Sequence, residues 1–304
     1  MDPLSAIFSS MNVQQALIDR IEVTAPWGIQ STCGPDIQFA LVLRGSAILQ
    51  TESSPHPLSL RGGDVFIMFG NPDYLLADQV RSEAIDCTAL KELKVGNTIR
   101  FGGGGAPTTL VAGRFKVDQV EARPILKALP NFLHLQLDQK RSHSFHSVLE
   151  LISFETEHQG LASEEMVNRL CEMLFIHAIR AYANEQDHGH AGWLAGMSDR
   201  YIGKAMHLMH DQLHKDWTVD SMAASAGMSR SAFASRFKLI VGQSPLEYLT
   251  QWRVYRASVL IRKTDSNVSK IAKSVGYDSE SAFTKVFKKV MQTTPSEFRR
   301  GECD

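Results

Sequence analysis

Apolar positions recur along this chain with two periods, and the change of period divides it. Between residues 21 and 115 they form short runs, at 39–43, 47–49, 58–60, 65–69, 85–90 and 108–115. Polar or glycine turns separate them at Arg44-Gly45-Ser46, Arg61-Gly62-Gly63-Asp64 and Gly70-Asn71-Pro72-Asp73. Many short strands joined by such turns predict a β-barrel or sandwich. From Pro124 the period is helical. Ile125, Leu126, Leu129 and Leu133 predict a short helix around Pro130, and 144–158 and 163–184 predict two longer ones. The second of these has Glu164 and Glu165 in its first turn and an apolar stripe of Met166, Leu170, Met173, Leu174, His177 and Ile179. Residues 2–20 also read as a helix, with Leu4, Ile7, Phe8, Met11, Leu17 and Ile18 apolar. The polar stretch 185–192 predicts a linker. Residues 199–213 then open a further helical region, with Met206, Met209 and Leu213 toward its core.

From residue 218 to 300 one pattern is written twice. Val219 to Gly227 recurs at Val268 to Gly276, offset by 49; Ser229, Phe233, Phe237, Lys238, Pro245 and Glu247 recur at Ser279, Phe283, Phe287, Lys288, Pro295 and Glu297, offset by 50. Each copy predicts helix, tight turn, helix. Thr218 and Asn267 cap the first helix. Met222, Ala223 and Ala226, or Ile271, Ala272 and Val275, form its buried stripe, and Gly227 or Gly276 its left-handed end. Ser229 and Ser279 cap the second helix, which buries Phe233 with Phe237, or Phe283 with Phe287. Its opposite face carries Arg230, Ser231, Ala234, Ser235 and Lys238 in the first copy, and Glu280, Ser281, Thr284, Lys285 and Lys288 in the second. Short polar and basic side chains of this kind suit base edges and phosphates in a major groove. Between the copies, Ser244-Pro245-Leu246-Glu247 supplies an N-cap, a proline at the first helical position and a capping-box glutamate; Thr294-Pro295-Ser296-Glu297 repeats it. The helix opened there runs to about Arg262, roughly 25 Å at 1.5 Å per residue. Such a rod can hold two recognition helices near one DNA turn, about 34 Å, apart.

The segments GMSRSAFASRFK, the WR after Tyr248-Leu249, IAKSVGYDSESAFTKVFKK and TPSEFRR resemble the DNA-binding domain of bacterial AraC/XylS-family transcription regulators, over about a third of the chain. The resemblance implies that Ser231, Ala234 and Ser235, then Ser281, Thr284 and Lys285, touch bases of double-stranded DNA. The first set is small and weakly polar, so its readout is expected to be apolar or indirect, with Arg230 and Arg236 on phosphates. For Arg236 a side chain that is simply solvated, or paired within the protein, is the alternative. RNA polymerase is a further partner the resemblance implies, and the bacterial cytoplasm, at the nucleoid, its place.

APWG at 25–28, FALVLRGSAIL, LRGGDVFIMFGNPDYLLAD and GGGGAPTTLVAGRF resemble the cupin-type sensor domain attached to one AraC subgroup. The expected fold is α+β in two domains: a cupin-like β-barrel with a helical dimerisation segment over 1–184, a linker over 185–197, and an all-α domain over 198–301 with two helix-turn-helix units joined by a long linking helix. Cupin enzymes bind a metal through histidines on such strands. Here Phe39-Ala40 and Asn71-Pro72-Asp73-Tyr74 stand where histidine is expected, and His56 lies in a Pro-His-Pro turn. His143, His146, His158 and His177 form no metal set either. No metal, cofactor or enzymatic activity is therefore expected, and a metal-dependent cupin enzyme with a DNA-binding appendage is the alternative. A barrel without ligating side chains can still enclose a small-molecule effector. Trp27, Phe39, Leu41, Phe66 and Met68 are its expected lining, though an ordinary core explains them as well. Gly102 to Gly105 lack the lysine and following helix of a phosphate loop and read as a flexible turn. The helices over 144–158 and 163–184 resemble the family's dimerisation element, which implies a homodimer.

The formal charge of −1 over 304 residues hides a division. From Ser198 onward 17 basic residues face 11 acidic ones, a balance of +6, and the remainder holds 15 against 22, or −7. The basic part coincides with the repeat, as phosphate attraction requires. Four cysteines without C-x-x-C spacing suit a reducing compartment. Cys33 and Cys87 share the first domain, which leaves open a redox pair beside idle thiols. Neither a signal-peptide pattern nor an apolar run of about 20 residues is present, so no membrane association is expected. The effector, the operator and the sign of regulation are not written in the sequence.

Overall fold

The computed structural model describes residues 13–32, 37–69, 73–96, 98–136, 143–158, 160–184 and 192–301. The chain forms two compact units. One holds Val13–Val117 with Leu129–Tyr182; the other holds Asp118–Ala128 with the chain from Ala183 onward.

The first unit is built on two sheets. Its strands are β1 (Val13–Thr24), β2 (Gly28–Ser31), β3 (Ile37–Arg44), β4 (Ser46–Thr51), β5 (Leu58–Arg61), β6 (Val65–Met68), β7 (Tyr74–Ala77), β8 (Ile85–Asp86), β9 (Lys94–Val95), β10 (Thr98–Gly102), β11 (Pro107–Val117) and β12 (Phe132–Leu135). One sheet runs β12-β6-β3-β11-β1-β10-β9 and the other β5-β4-β7-β2-β8. Between them lies an apolar core that includes Ile21, Val23, Ile29, Val42, Leu49 and Leu110. The Arg61-Gly62-Gly63-Asp64 turn is held by the Asp64 carboxylate, which accepts from the Arg61 N–H at 2.9 Å.

Three sequence expectations give way here. Residues 13–20, read as helix, belong to β1, which pairs with β10 on one side and β11 on the other. Adjacent Leu17 and Ile18 mimic a helical stripe, but the ladder with β11 along the whole strand, joined by β10 from Arg20, outweighs so weak a local preference; residues 2–12 of that expected helix lie outside the described residues. Leu133, expected on a helix, sits in β12 opposite Ile67. The glycine run is a stapled turn and not a flexible one. Gly103 and Gly105 donate to the carbonyls of Thr24 and Ala25 at 3.0 and 2.8 Å, and Gly104 donates to the Thr24 hydroxyl at 2.9 Å. A side chain at Gly105 would meet the Ala25 carbonyl at 2.6 Å, so the glycines permit a close backbone approach.

Two helices complete this unit up to Tyr182. In the second, Leu170, Leu174 and Ile179 of the expected stripe are buried, whereas Met166 and Met173 are exposed. The preceding helix, His143–His158, also exposes Leu151 and Phe154.

The second unit is helical throughout: α1 (Gln119–Ala128), α2 (Trp193–Ser198), α3 (Ile202–Asp211), α4 (Val219–Ala226), α5 (Arg230–Val241), α6 (Pro245–Lys263), α7 (Val268–Ser274), α8 (Glu280–Met291) and α9 (Pro295–Arg300). Residues 193–197, expected to be linker, form α2, and Trp193 is buried edge-to-face on Trp252 with ring centroids 5.7 Å apart. The helix expected over 199–213 starts later because Asp199 breaks it: its carboxylate accepts from the N–H groups of Tyr201 and Ile202 at 3.0 and 2.9 Å and so opens α3.

Candidate nucleic-acid interface

The two repeats fold as near-copies because their punctuation is local. The Thr218 hydroxyl accepts from Ser221 N–H at the start of α4, and the Asn267 side chain from Lys270 N–H at the start of α7. Gly227 and Gly276 take left-handed φ values of 70° and 87°, where a side chain would be strained. Ser229 and Ser279 then cap α5 and α8. Phe233, Phe237, Phe283 and Phe287 are fully buried. Each pair packs ring to ring at 5.6 or 5.5 Å. With one face of each helix committed to a core, the other is left to solvent. Arg230, Ser231, Ser235 and Lys238 are exposed and Ala234 half-exposed; Glu280, Ser281, Lys285 and Lys288 are exposed and Thr284 half-exposed. All ten residues expected to face DNA thus lie on the outward sides of α5 and α8.

Their electrostatics differ between the copies. Arg230 pairs with Asp220 at 3.0 Å, both side chains being exposed. Arg236 is engaged more firmly, in two hydrogen bonds to Asp199 at 3.3 and 2.6 Å, with its guanidinium also over the Tyr201 ring. Within the chain, then, Arg236 is ion-paired. Burial pushes the Asp199 carboxyl up, but Arg236 and the two backbone N–H groups outweigh it and hold the group below the ordinary aspartate range. Among the described residues no carboxylate lies within salt-bridge distance of Lys238, Lys285 or Lys288.

Both units hang on α6, whose 19 residues span about 28 Å. Its N-terminus is fixed by the capping box of Ser244 and Glu247. Arg253, near its middle, stands in the WR pair that the family resemblance includes, but nothing in the sequence assigns it a role. The guanidinium donates to the carbonyls of Leu213 and Lys215 at 2.8 and 2.7 Å and lies 5.6 Å from the Tyr277 ring centroid. It thus ties the segment that follows α3 to the turn between α7 and α8. No local sequence signal marks it, because its partners are backbone atoms about 40 residues away.

In the first unit a cavity of about 430 Å³ opens between the sheets. Ile21, Ile29, Ala40, Leu76, Leu90 and Ile99 wall it, and Gln38, Arg114 and Cys87 bring polar groups to it. The buried Ser31 hydroxyl donates to Gln38 at 2.8 Å, and Lys94 pairs with Asp19 at its edge. None of the five expected lining residues is a wall of this cavity. Trp27, Phe66 and Met68 are buried in the core beside it. Phe39 and Leu41 are buried on the other face of β3, since strand side chains alternate and Gln38 and Ala40 take the inner positions. Among the described residues no group of three or more His, Cys, Asp or Glu could hold a metal ion. His158 stacks on Phe154 at 4.2 Å. The side chains of His143 and His146, like Cys33, lie outside the described residues. The buried Cys171 thiol is pushed well above its ordinary value by loss of solvent. No helix among the described residues is long and apolar enough to cross a membrane.

Comparison with known proteins agrees with this layout. Residues 2–184 match a family described as cupin, and residues 222–301 match a helix-turn-helix domain. A protein named as an AraC-like transcription regulator in Streptomyces lividans is 29% identical over 300 residues, covering 99% of this chain and 98% of the relative. The HTH-type transcriptional regulator AlkR of Acinetobacter baylyi is 26% identical, covering 99% of both chains. The RCS-specific HTH-type transcriptional activator RclR of Escherichia coli is 31% identical over 195 residues, covering 63% of this chain and 68% of the relative.

Proposed function

The chain belongs to the AraC-type family of helix-turn-helix transcription regulators that carry a cupin domain, and from that premise we propose that a small molecule held in the barrel cavity governs how α5 and α8 engage DNA. The observation that carries the DNA side is the pair of outward polar faces, each backed by a buried phenylalanine pair and joined by one stiff helix. Ser231, Ala234 and Ser235 meet one major groove, and Ser281, Thr284 and Lys285 the next. Arg230, Lys238 and Lys288 neutralise phosphates, and Glu280 stands at the rim. Arg230 can exchange its exposed aspartate for a phosphate at little cost.

The sensing side rests on the cavity. Apolar walls with Gln38, Arg114 and the Ser31 hydroxyl at hand suit an apolar molecule with one polar end. The domains are then a sensor ending near residue 184, a linker, and a DNA-binding domain that takes in α2. The protein is a regulator and not an enzyme, works in the bacterial cytoplasm, and meets RNA polymerase at its promoters. Exposed Leu151, Phe154, Met166 and Met173 suit self-association into a homodimer.

Footprinting the full chain across the genome of its host, followed by competition of a recovered site against random duplex at physiological salt, tests the DNA reading. A recovered site that outcompetes random duplex by about a thousandfold or more is the expected result. Equal affinity for every duplex would make the protein an architectural DNA binder and end the proposal. For the sensor, Ala40→Trp, which fills the cavity, is expected to leave the footprint intact and abolish any effector response of a promoter reporter.

A further inference from the structure

A second cavity, of about 330 Å³, lies wholly within the DNA-binding unit. Its position is unusual. One wall is a stripe of the linking helix α6, formed by Tyr248, Trp252, Tyr255 and Ser258. A second wall is α1, and the rest comes from Trp193, from Gln243 just beyond recognition helix α5, and from Lys289 to Met291 at the end of recognition helix α8. An occupant would touch the linking helix, the residue just beyond α5 and the end of α8.

The chemistry of the walls is selective. Trp252 meets Trp193 and Tyr255 edge-on, at 5.7 and 5.2 Å between centroids. A flat ring sliding between such walls finds faces and edges to stack on. The Tyr248 hydroxyl is already committed to His210 at 2.6 Å, and the Trp193 N–H to the Pro124 carbonyl at 2.9 Å, so the aromatic floor offers few polar groups. Charge at the mouth has one sign. Arg123 and Lys127 of α1 and Lys289 of α8 line it, and no acidic side chain does among the described residues. The Arg123 guanidinium donates to the Met291 sulfur at 3.2 Å, a weak acceptor that leaves the charge uncompensated. Burial first, and the neighbouring Arg123 second, hold the Lys127 ammonium below its ordinary value, as two cations sharing a site without an anion should.

We propose that this cavity is a binding site for a small planar aromatic carboxylate, with the ring against Trp193, Trp252 and Tyr255 and the carboxylate on Arg123 and Lys127. The site is separate from the barrel cavity and does not depend on what the barrel senses. α1 follows β11 directly in sequence, and the carboxylate would add a bridge to those that already dock this helix on α6, notably Arg262 to Asp118 at 2.7 Å.

The test uses 2-naphthoate and the full-length chain in isothermal titration calorimetry, with 2-naphthamide as the uncharged control. Saturable one-site binding of 2-naphthoate is expected, weakened by about tenfold or more in 2-naphthamide and in the double variant Arg123→Gln/Lys127→Gln, the loss of a charge-assisted contact. Gln251→Trp places a ring into the cavity from an exposed position of α6 and is expected to block binding, while Ala40→Trp in the barrel leaves it unchanged. Absence of saturable binding at millimolar 2-naphthoate overturns the proposal. So does binding that survives both the double charge variant and Gln251→Trp, or that is lost in Ala40→Trp, which would place the ligand in the barrel.

Discussion

Replacing Arg253 by methionine keeps most of the side-chain stem and removes the cation that ties the two helix-turn-helix units together. The part-buried hydrogen bond to Leu213 O, at 2.8 Å, is charge-assisted and contributes about 1.5–3 kcal/mol. The one to Lys215 O, at 2.7 Å, is exposed, so solvent reduces it to about 1 kcal/mol. The guanidinium over Tyr277 adds about 0.5–1 kcal/mol. Against these, the freed side chain regains about 1–2 kcal/mol of rotamer entropy. The net loss is about 2 kcal/mol, which for a unit of this size lowers the melting temperature by roughly 6–10 °C. Three of the four tryptophans, Trp193, Trp217 and Trp252, belong to the DNA-binding unit, so intrinsic fluorescence of the full chain follows this transition. Because the lost contacts join the units and leave each core intact, binding to a duplex carrying both half-sites should weaken more than binding to a single half-site. An Arg253→Met protein that melts within about 2 °C of the parent, and binds both duplexes as the parent does, would refute the assignment of Arg253 as the brace.

Three further outcomes are expected. Phe283→Ala empties a fully buried site in the second helix-turn-helix and should cost about 3–5 kcal/mol in urea unfolding; Phe233→Ala should cost the same in the first helix-turn-helix. Lys285→Ala should reduce affinity for a footprinted site by about 1–3 kcal/mol in a gel-shift titration if this lysine reads a base, with far less effect on random duplex. The Asp199 carboxyl lies below its unfolded value because Arg236 and two N–H groups prevail over burial. Its contribution to stability is therefore full above the ordinary aspartate range, near pH 3.9, and is lost as pH falls through the folded value. Urea midpoints of the parent and Asp199→Asn should differ at neutral pH and converge in acid; curves that stay parallel would remove Asp199 from the account.

The DNA-binding unit was legible in advance because its instructions are short-range. An N-cap and its N–H partner are three residues apart, a left-handed glycine acts where it stands, and a buried stripe repeats within one helix. The barrel was less so. Residues 13–20 of β1 mimic a helix because what makes them a strand is β11, with which Ile18 pairs at Gly113, far along the chain. The effector lining failed by a single step of alternation at Phe39 and Leu41, since nothing in a continuous apolar run says which parity faces inward. α2 was absorbed into the linker because its six residues carry no side-chain cap; it is held instead by the burial of Trp193 against a partner in α6.

The two recognition helices share a scaffold but not a chemistry, and the difference follows from what each scaffold has already used. In the first unit Asp199 serves two ends at once: it opens α3 through two backbone N–H groups and binds Arg236 through both carboxylate oxygens. That arginine sits on the rim of a DNA-reading helix yet is committed to the carboxylate that opens α3, so moving it to a phosphate would break this ion pair. The first unit is left with Arg230 and Lys238 for phosphates and with small side chains for bases, which favours close approach and readout of shape. In the second unit Asn267 caps α7 without charge, and Lys285 and Lys288 on α8 need not be detached from any carboxylate of the described chain. If the proposed DNA contacts hold, the acidic brace beside the first repeat predicts that neutralising Lys285 and Lys288 weakens DNA binding more than neutralising Arg230 and Lys238, which paired gel-shift titrations would check.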